Sequence, residues 1–165
     1  MRRTALLTAA TLALAACAGS EPAPLKISGV RVEADLSSIG SSQAATYWSR
    51  LDGDLESAIA AQFLGRIDPA GNVITVDVDE LSLNSPFLSS AVADTARLSG
   101  RVEMLNPAGT SEGVWNVSAS AQDVAGYLPP GTTSVAPTSA QYYHAIVQAF
   151  ASGVATTVQA GQSGG

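Results

Sequence analysis

A single cysteine, Cys17, serves a chain of 165 residues. No intramolecular disulfide can form and no thiolate cluster can hold a structural metal, so whatever folds here must be held by packing. The apolar residues are spaced for that task. Val30, Val32, Ala34 and Leu36 alternate with Arg31, Glu33 and Asp35, the period-two pattern of a half-buried strand. Tyr47, Trp48, Leu51, Leu55, Ile59 and Phe63 recur at three- and four-residue spacing. That spacing predicts one amphipathic helix, capped by Ser41 or Ser42 and ending near Gly65. Asp68-Pro69-Ala70-Gly71-Asn72 is a turn, and Ile74, Val76 and Val78 then alternate with Thr75, Asp77 and Asp79. This second strand is expected over 73–83, with a bulge near Glu80 where the apolar phase shifts to Leu81 and Leu83.

After a connection over 84–94, Ala96, Leu98, Val102 and Met104 predict a third strand, which Asn106-Pro107-Ala108-Gly109 ends. Trp115, Val117, Ala119 and Ala121 share one face of a fourth strand over 114–122. Residues 123–137 read as a long loop. Tyr143, Ile146, Val147, Phe150, Val154 and Val158 mark a second amphipathic helix from about Ser139. The order is β-α-β-β-β-α, and the turns joining strands two to four favour an antiparallel meander. Two helices must cover the apolar face of that sheet. The expected fold is an α+β two-layer sandwich, a mainly antiparallel four-stranded sheet with two helices packed on one face and a polar outer face.

The N-terminus has a different character. Met1, Arg2 and Arg3 precede an uncharged run from Thr4 to Ala16, too short to span a bilayer, which takes about 20 apolar residues. It reads as a removable signal peptide. The run ends in Leu14-Ala15-Ala16-Cys17, which resembles the lipobox of bacterial lipoproteins: a leucine three residues before the cysteine, two small residues, then the cysteine. The resemblance implies cleavage before Cys17 and a diacylglyceryl group on its sulfur. It also implies outer-membrane sorting, because Ala18 stands where an Asp would signal retention at the inner membrane. The expected organisation is a signal peptide over 1–16, lipidated Cys17 and a Pro-bearing tether over 17–24, a single domain over 25–158, and a disordered Gly- and Ser-rich tail over 159–165.

Cleavage after residue 16 leaves 149 of the 165 residues, enough for one domain with its own core. Loss of Arg2 and Arg3 lowers the basic residues from 8 to 6 against 14 acidic ones, a formal balance of −8. Such a surface repels phosphate backbones, which disfavours nucleic acid as a partner.

Residues that could carry chemistry are few. Asp77, Asp79 and Glu80 form the densest acidic group; Asp77 and Asp79, on the same side of strand two, could share a cation, or both could decorate its solvent face. His144 is the only histidine and reads as a surface residue beside the second helix's apolar stripe. No Gly-x-Ser-x-Gly elbow and no Gly-x-x-x-x-Gly-Lys loop occurs. The expectation is no catalytic residue, no metal and no cofactor. Tyr47, Trp48 and Trp115 read mainly as core. Phe87 and Leu88, apolar residues in a connection, and Tyr127, in the long loop, are the candidates for contact with a partner or lipid.

The helix carrying Tyr47-Trp48, the strand from Val73 to Val78 and the closing run from Tyr142 to Phe150 together resemble small periplasmic lipoproteins that assist envelope transport. The similarity is to the auxiliary lipoproteins of lipid-transporting ABC systems and, more distantly, to the lipopolysaccharide-assembly lipoprotein. It implies a non-catalytic, membrane-anchored subunit that docks onto a larger envelope complex through a surface. The alternative is a lipid or small-ligand carrier with a cavity between helices and sheet; an enzyme built around Asp77 is the least favoured class.

Overall fold

The computed structural model describes residues 24–39, 41–79, 83, 97–132 and 135–163. The leader with Leu14, Ala15, Ala16 and Cys17, the bulge expected at Glu80, and Phe87 and Leu88 lie outside the described residues.

The sheet has four strands in the order β1-β2-β3-β4, so every strand lies beside its neighbour in sequence. They are β1 (Ile27–Glu33), β2 (Asn72–Val78), β3 (Arg97–Leu105) and β4 (Ser111–Ser120). β2, β3 and β4 form the expected antiparallel meander, whereas β1 pairs with β2 in parallel, Val30 opposite Ile74 and Val32 opposite Val76. A parallel neighbour requires a crossover. Helices α1 (Ser42–Tyr47) and α2 (Leu51–Ala61) make it, with α2 packed on β1. The β3–β4 hairpin is closed by Asn106, whose Oδ1 accepts from the Ala108 and Thr110 amides at 3.0 Å each, while Gly109 takes a φ of 79°.

Alternation holds along the strands. Ile74, Val76 and Val78 of β2, Leu98, Val102 and Met104 of β3, and Val117 and Ala119 of β4 are buried. The last helix, α4 (Ala140–Ser163), lies against β3, β4 and α2 and supplies the covering side chains Ile146, Phe150, Val154 and Val158, all fully buried. Complete burial of such side chains contributes roughly 1.5–3 kcal/mol each. Gly100 on β3 admits Phe150: a Cβ there would stand 3.4 Å from its ring and only 2.8 Å from the Asp77 carbonyl.

Three expectations need correction. The helix expected to run unbroken from Ser41 to Gly65 is split at Trp48–Arg50, with Ser41 capping α1. The split has a cause in the core: Trp48 leaves the helical track and is fully buried, its indole Nε1 donating to the Leu83 carbonyl at 2.8 Å. The fourth strand stops at Ser120 rather than Gln122, and the expected loop begins as a short helix α3 (Ala121–Val124) followed by a 3₁₀ turn (Ala125–Tyr127). Ser120 and Asp123 form a reciprocal capping box that starts this turn, the Asp123 carboxylate accepting from the Ser120 amide at 2.8 Å. Finally, α4 continues to Ser163, five residues into the tail expected to be disordered. The reason is Trp115. Its indole lies so close to Gly161 that a Cβ there would stand 2.5 Å from the ring, which ties the last turn of α4 to β4.

Candidate functional site

The outer face of the sheet is uncovered among the described elements, and the register sets its charges. Asp77 lies opposite Glu33 on one side and Arg101 on the other, with Asn116 beyond; the next row is Arg31, Thr75, Glu103 and Val114. Two shallow hollows follow these rows. One, of about 380 Å³, is lined by Asp77, Asp79, Ser99, Arg101, Asn116 and Ser118; the other, of about 330 Å³, by Arg31, Glu33, Thr75, Asp77, Arg101 and Glu103. The acidic pair of strand two therefore points to solvent, but not as a pair of bare carboxylates. A guanidinium faces Asp77 across the strands, and Asp79, beyond the end of β2, accepts from the Ser99 hydroxyl at 3.2 Å. Among the described residues no group of three or more His, Cys, Asp or Glu side chains is arranged to hold a metal ion.

A second concentration of functional side chains sits where α1 and α2 meet the start of α4. Ser139 caps that start, its hydroxyl accepting from the Tyr142 amide at 3.2 Å. The rings of Tyr47, Trp48 and Tyr143 then meet edge-on or tilted with centroids 4.7–5.5 Å apart, and His144 stands edge-on to Tyr143 at 5.6 Å. The Tyr47 hydroxyl donates to the Pro137 and Ser139 carbonyls at 3.2 and 2.9 Å. Tyr143 donates to Asp54 Oδ2 at 2.7 Å, and Arg50 lies 3.8 Å from the same oxygen. Burial raises all three phenols here, Tyr142 to about 12; the Asp54 carboxylate raises Tyr143 further. A hollow of about 410 Å³ lined by Tyr47, Arg50, Tyr143 and His144 opens beside them. Asp54, on α2, already accepts from Tyr143, on α4, so this contact braces the two helices against each other.

Tyr127 is 43% exposed and borders a fourth hollow, of about 310 Å³, with Asp123, Ser152, Thr156 and Thr157. Trp48 is core, as read from the sequence; Trp115 is half-buried, and His144 is exposed. Sequence reasoning missed Arg101 as the partner of Asp77, because register is invisible in one strand alone. It also missed Leu64 and Ile67, 76% and 57% exposed. Their signal was the Gly65 beside them, which ends the helical stripe and takes a φ of 79°.

No protein-family model matches the chain, and no curated protein matches it significantly. Among solved structures, the chain is similar to a crystal structure from Caulobacter crescentus CB15 described as a "putative lipoprotein". The two are 17% identical with a TM-score of 0.41, over 82% of this chain and 88% of that one.

Proposed function

We propose that the protein is a lipid-anchored, non-catalytic lipoprotein of the bacterial envelope, facing the periplasm from the outer membrane and docking a partner of an envelope transport or assembly complex. The observation that carries this reading is Leu14-Ala15-Ala16-Cys17 at the end of a short uncharged run, with the chain's only cysteine at the position that cleavage would make N-terminal. Two features of the described residues fit it. No described helix is long and apolar enough to cross a membrane. The hollows border exposed residues, while the layer between helices and sheet is filled by side chains such as Phe63, Met104 and Phe150, which favours a docking surface over an interior carrier cavity.

The test is made in intact cells, with acyl labelling of the wild type and Cys17→Ala, and with a photo-crosslinker at Tyr127. Wild type takes up label and fractionates with membranes, whereas Cys17→Ala does neither; persistent membrane attachment of that variant overturns the anchor. One defined envelope protein captured at Tyr127 supports docking. Lipid captured without protein favours the carrier reading instead.

A further inference from the structure

The sheet and helices give the molecule two ends of different character. β1 and β2 run from the first end to the second, β3 returns, and α2 and α4 both finish at the first end, where Arg66 just past α2 hydrogen-bonds Gln159 of α4. The chain enters the fold there. The Ile27 amide donates to the Arg66 carbonyl at 3.1 Å, the Asp68 amide to the Ile27 carbonyl at 2.9 Å, and the Asn72 amide to the Lys26 carbonyl at 3.0 Å. These bonds fasten the beginning of β1 to the turn that follows α2. That turn holds the two most exposed large apolar side chains among the described residues, Leu64 and Ile67, with Pro69 exposed beside them. Gly65, in the left-handed conformation, sits between them at the bend.

Charge divides the ends the same way. Asp35, Asp52, Asp54, Asp79 and Asp123 all follow the outgoing ends of β1, β2 and β4 or open α2, so they collect at the end away from Leu64, where they outnumber Arg50 and Arg97. Near Leu64 the Asp68 carboxylate is paired with Lys26 at 2.9 Å, and Arg66 and Glu112 stand at the same end, which leaves it close to neutral. Apolar side chains on a near-neutral end, with carboxylates at the opposite end, suit a surface of anionic headgroups.

We infer that this end of the domain rests on the bilayer that holds the lipid anchor, with Leu64 and Ile67 inserted among the headgroups and outer acyl carbons. The inference rests on the lipidation of Cys17. Pro24 follows Cys17 by seven positions, a reach of at most about 25 Å when fully extended, and the Lys26–Ile27 junction beside the apolar turn comes two positions later. An anchor so placed presents this end to the lipid before any other. Two inserted side chains add to the durability of acylation, and they fix an orientation that acyl chains on a tether leave free: the sheet strands stand away from the membrane and the acidic end faces outward.

The experiment uses the full lipidated chain in vesicles of phosphatidylethanolamine and phosphatidylglycerol carrying brominated acyl chains. An environment-sensitive fluorophore is attached to Leu64→Cys, Ile67→Cys or Asp52→Cys, and mass spectrometry of each preparation reads the acyl group on Cys17. Asp52 begins the same helix that Leu64 follows, roughly 18 Å away along its axis, and serves as the distal reference. Blue-shifted emission at 64 and 67, quenched severalfold more strongly than at 52, is the expected result. Adding Leu64→Glu to the Ile67→Cys protein lowers quenching to the distal level while the acyl chains keep it on the vesicle. Equal weak quenching at all three positions, with Cys17 acylated, overturns the inference and leaves the anchor intact. Blue-shifted emission at 64 without quenching also overturns it, since another stretch of protein then covers the residue. An unacylated Cys17 overturns the anchor, and the inference with it.

Discussion

Trp115 lies in a slot that exists because two residues have no side chain. A Cβ at Gly113, two residues earlier on β4, would stand 2.4 Å from its ring, and one at Gly161, near the end of α4, 2.5 Å. The neighbour in the way is a large ring held on a strand, so relief requires the indole or the helix to move. Gly161→Ala is expected to lower stability by roughly 1–3 kcal/mol in chemical denaturation and to change the tryptophan emission, despite alanine's better helix propensity. Gly126→Ala, where a Cβ meets nothing within 4 Å, is the neutral control. The sequence offered half of this site. Trp115 was legible as the apolar side of an alternating strand, but its slot needs a glycine 46 positions later, in a segment whose composition reads as disorder. Trp48 is the converse case: its period marked it as core, yet the break it imposes on the helix depends on Leu83, a partner no local pattern indicates.

Elements were legible where one local period decided them. All four strands follow from alternation and the core stripes of α2 and α4 from three- and four-residue spacing, and Ser139 was readable as the start of α4. The parallel pairing of β1 was not, since alternation is the same for either direction. The α3 turn was hidden for another reason: the alternation of β4 carries on through Ala121, and the Ser120-Ala121-Gln122-Asp123 box overrides it. That box titrates. The hydroxyl and amide of Ser120 hold the Asp123 carboxyl below its ordinary value of 3.8. A lowered folded value means that the charged form favours the fold, so the contribution is complete well above 3.8 and lost as pH falls through the lowered value. Thermal melts between pH 6 and 2.5 are expected to show a smaller acid loss in Ser120→Ala than in wild type, with a lower melting temperature at pH 6. Equal acid slopes would count against the box as a stabilising device.

For the molecule as a whole, the junction of α1, α2 and α4 concentrates three phenols that burial raises above their ordinary value of 10. A raised folded value gives the opposite sign. The neutral phenols favour the fold, the contribution is complete below pH 10, and it is lost as pH rises past 10 toward the raised values. Absorbance of phenolate and far-UV circular dichroism, followed together up to pH 12.5, are therefore expected to show a late tyrosine phase that coincides with unfolding. Tyr47→Phe, which removes one phenol and its bonds to the Pro137 and Ser139 carbonyls, is expected to lower stability at pH 7 by roughly 0.5–1.5 kcal/mol. The polar outer face was legible from strand alternation, but the rows of charge on it and the two unlike ends of the molecule were out of reach, because they arise from register and from where helices stop.

The placement of α4 also has a consequence in time. The apolar faces of β3 and β4, and one side of α2, are covered by residues 140–163, the last described segment of the chain. β1, made first, has only β2 as a strand neighbour and must wait for residues 72–78. A chain emerging from its N-terminus thus lacks, until residues 140–163 are made, the helix that covers β3 and β4. Until then the apolar faces of those two strands lack that cover, and the order of the elements in the chain sets the delay.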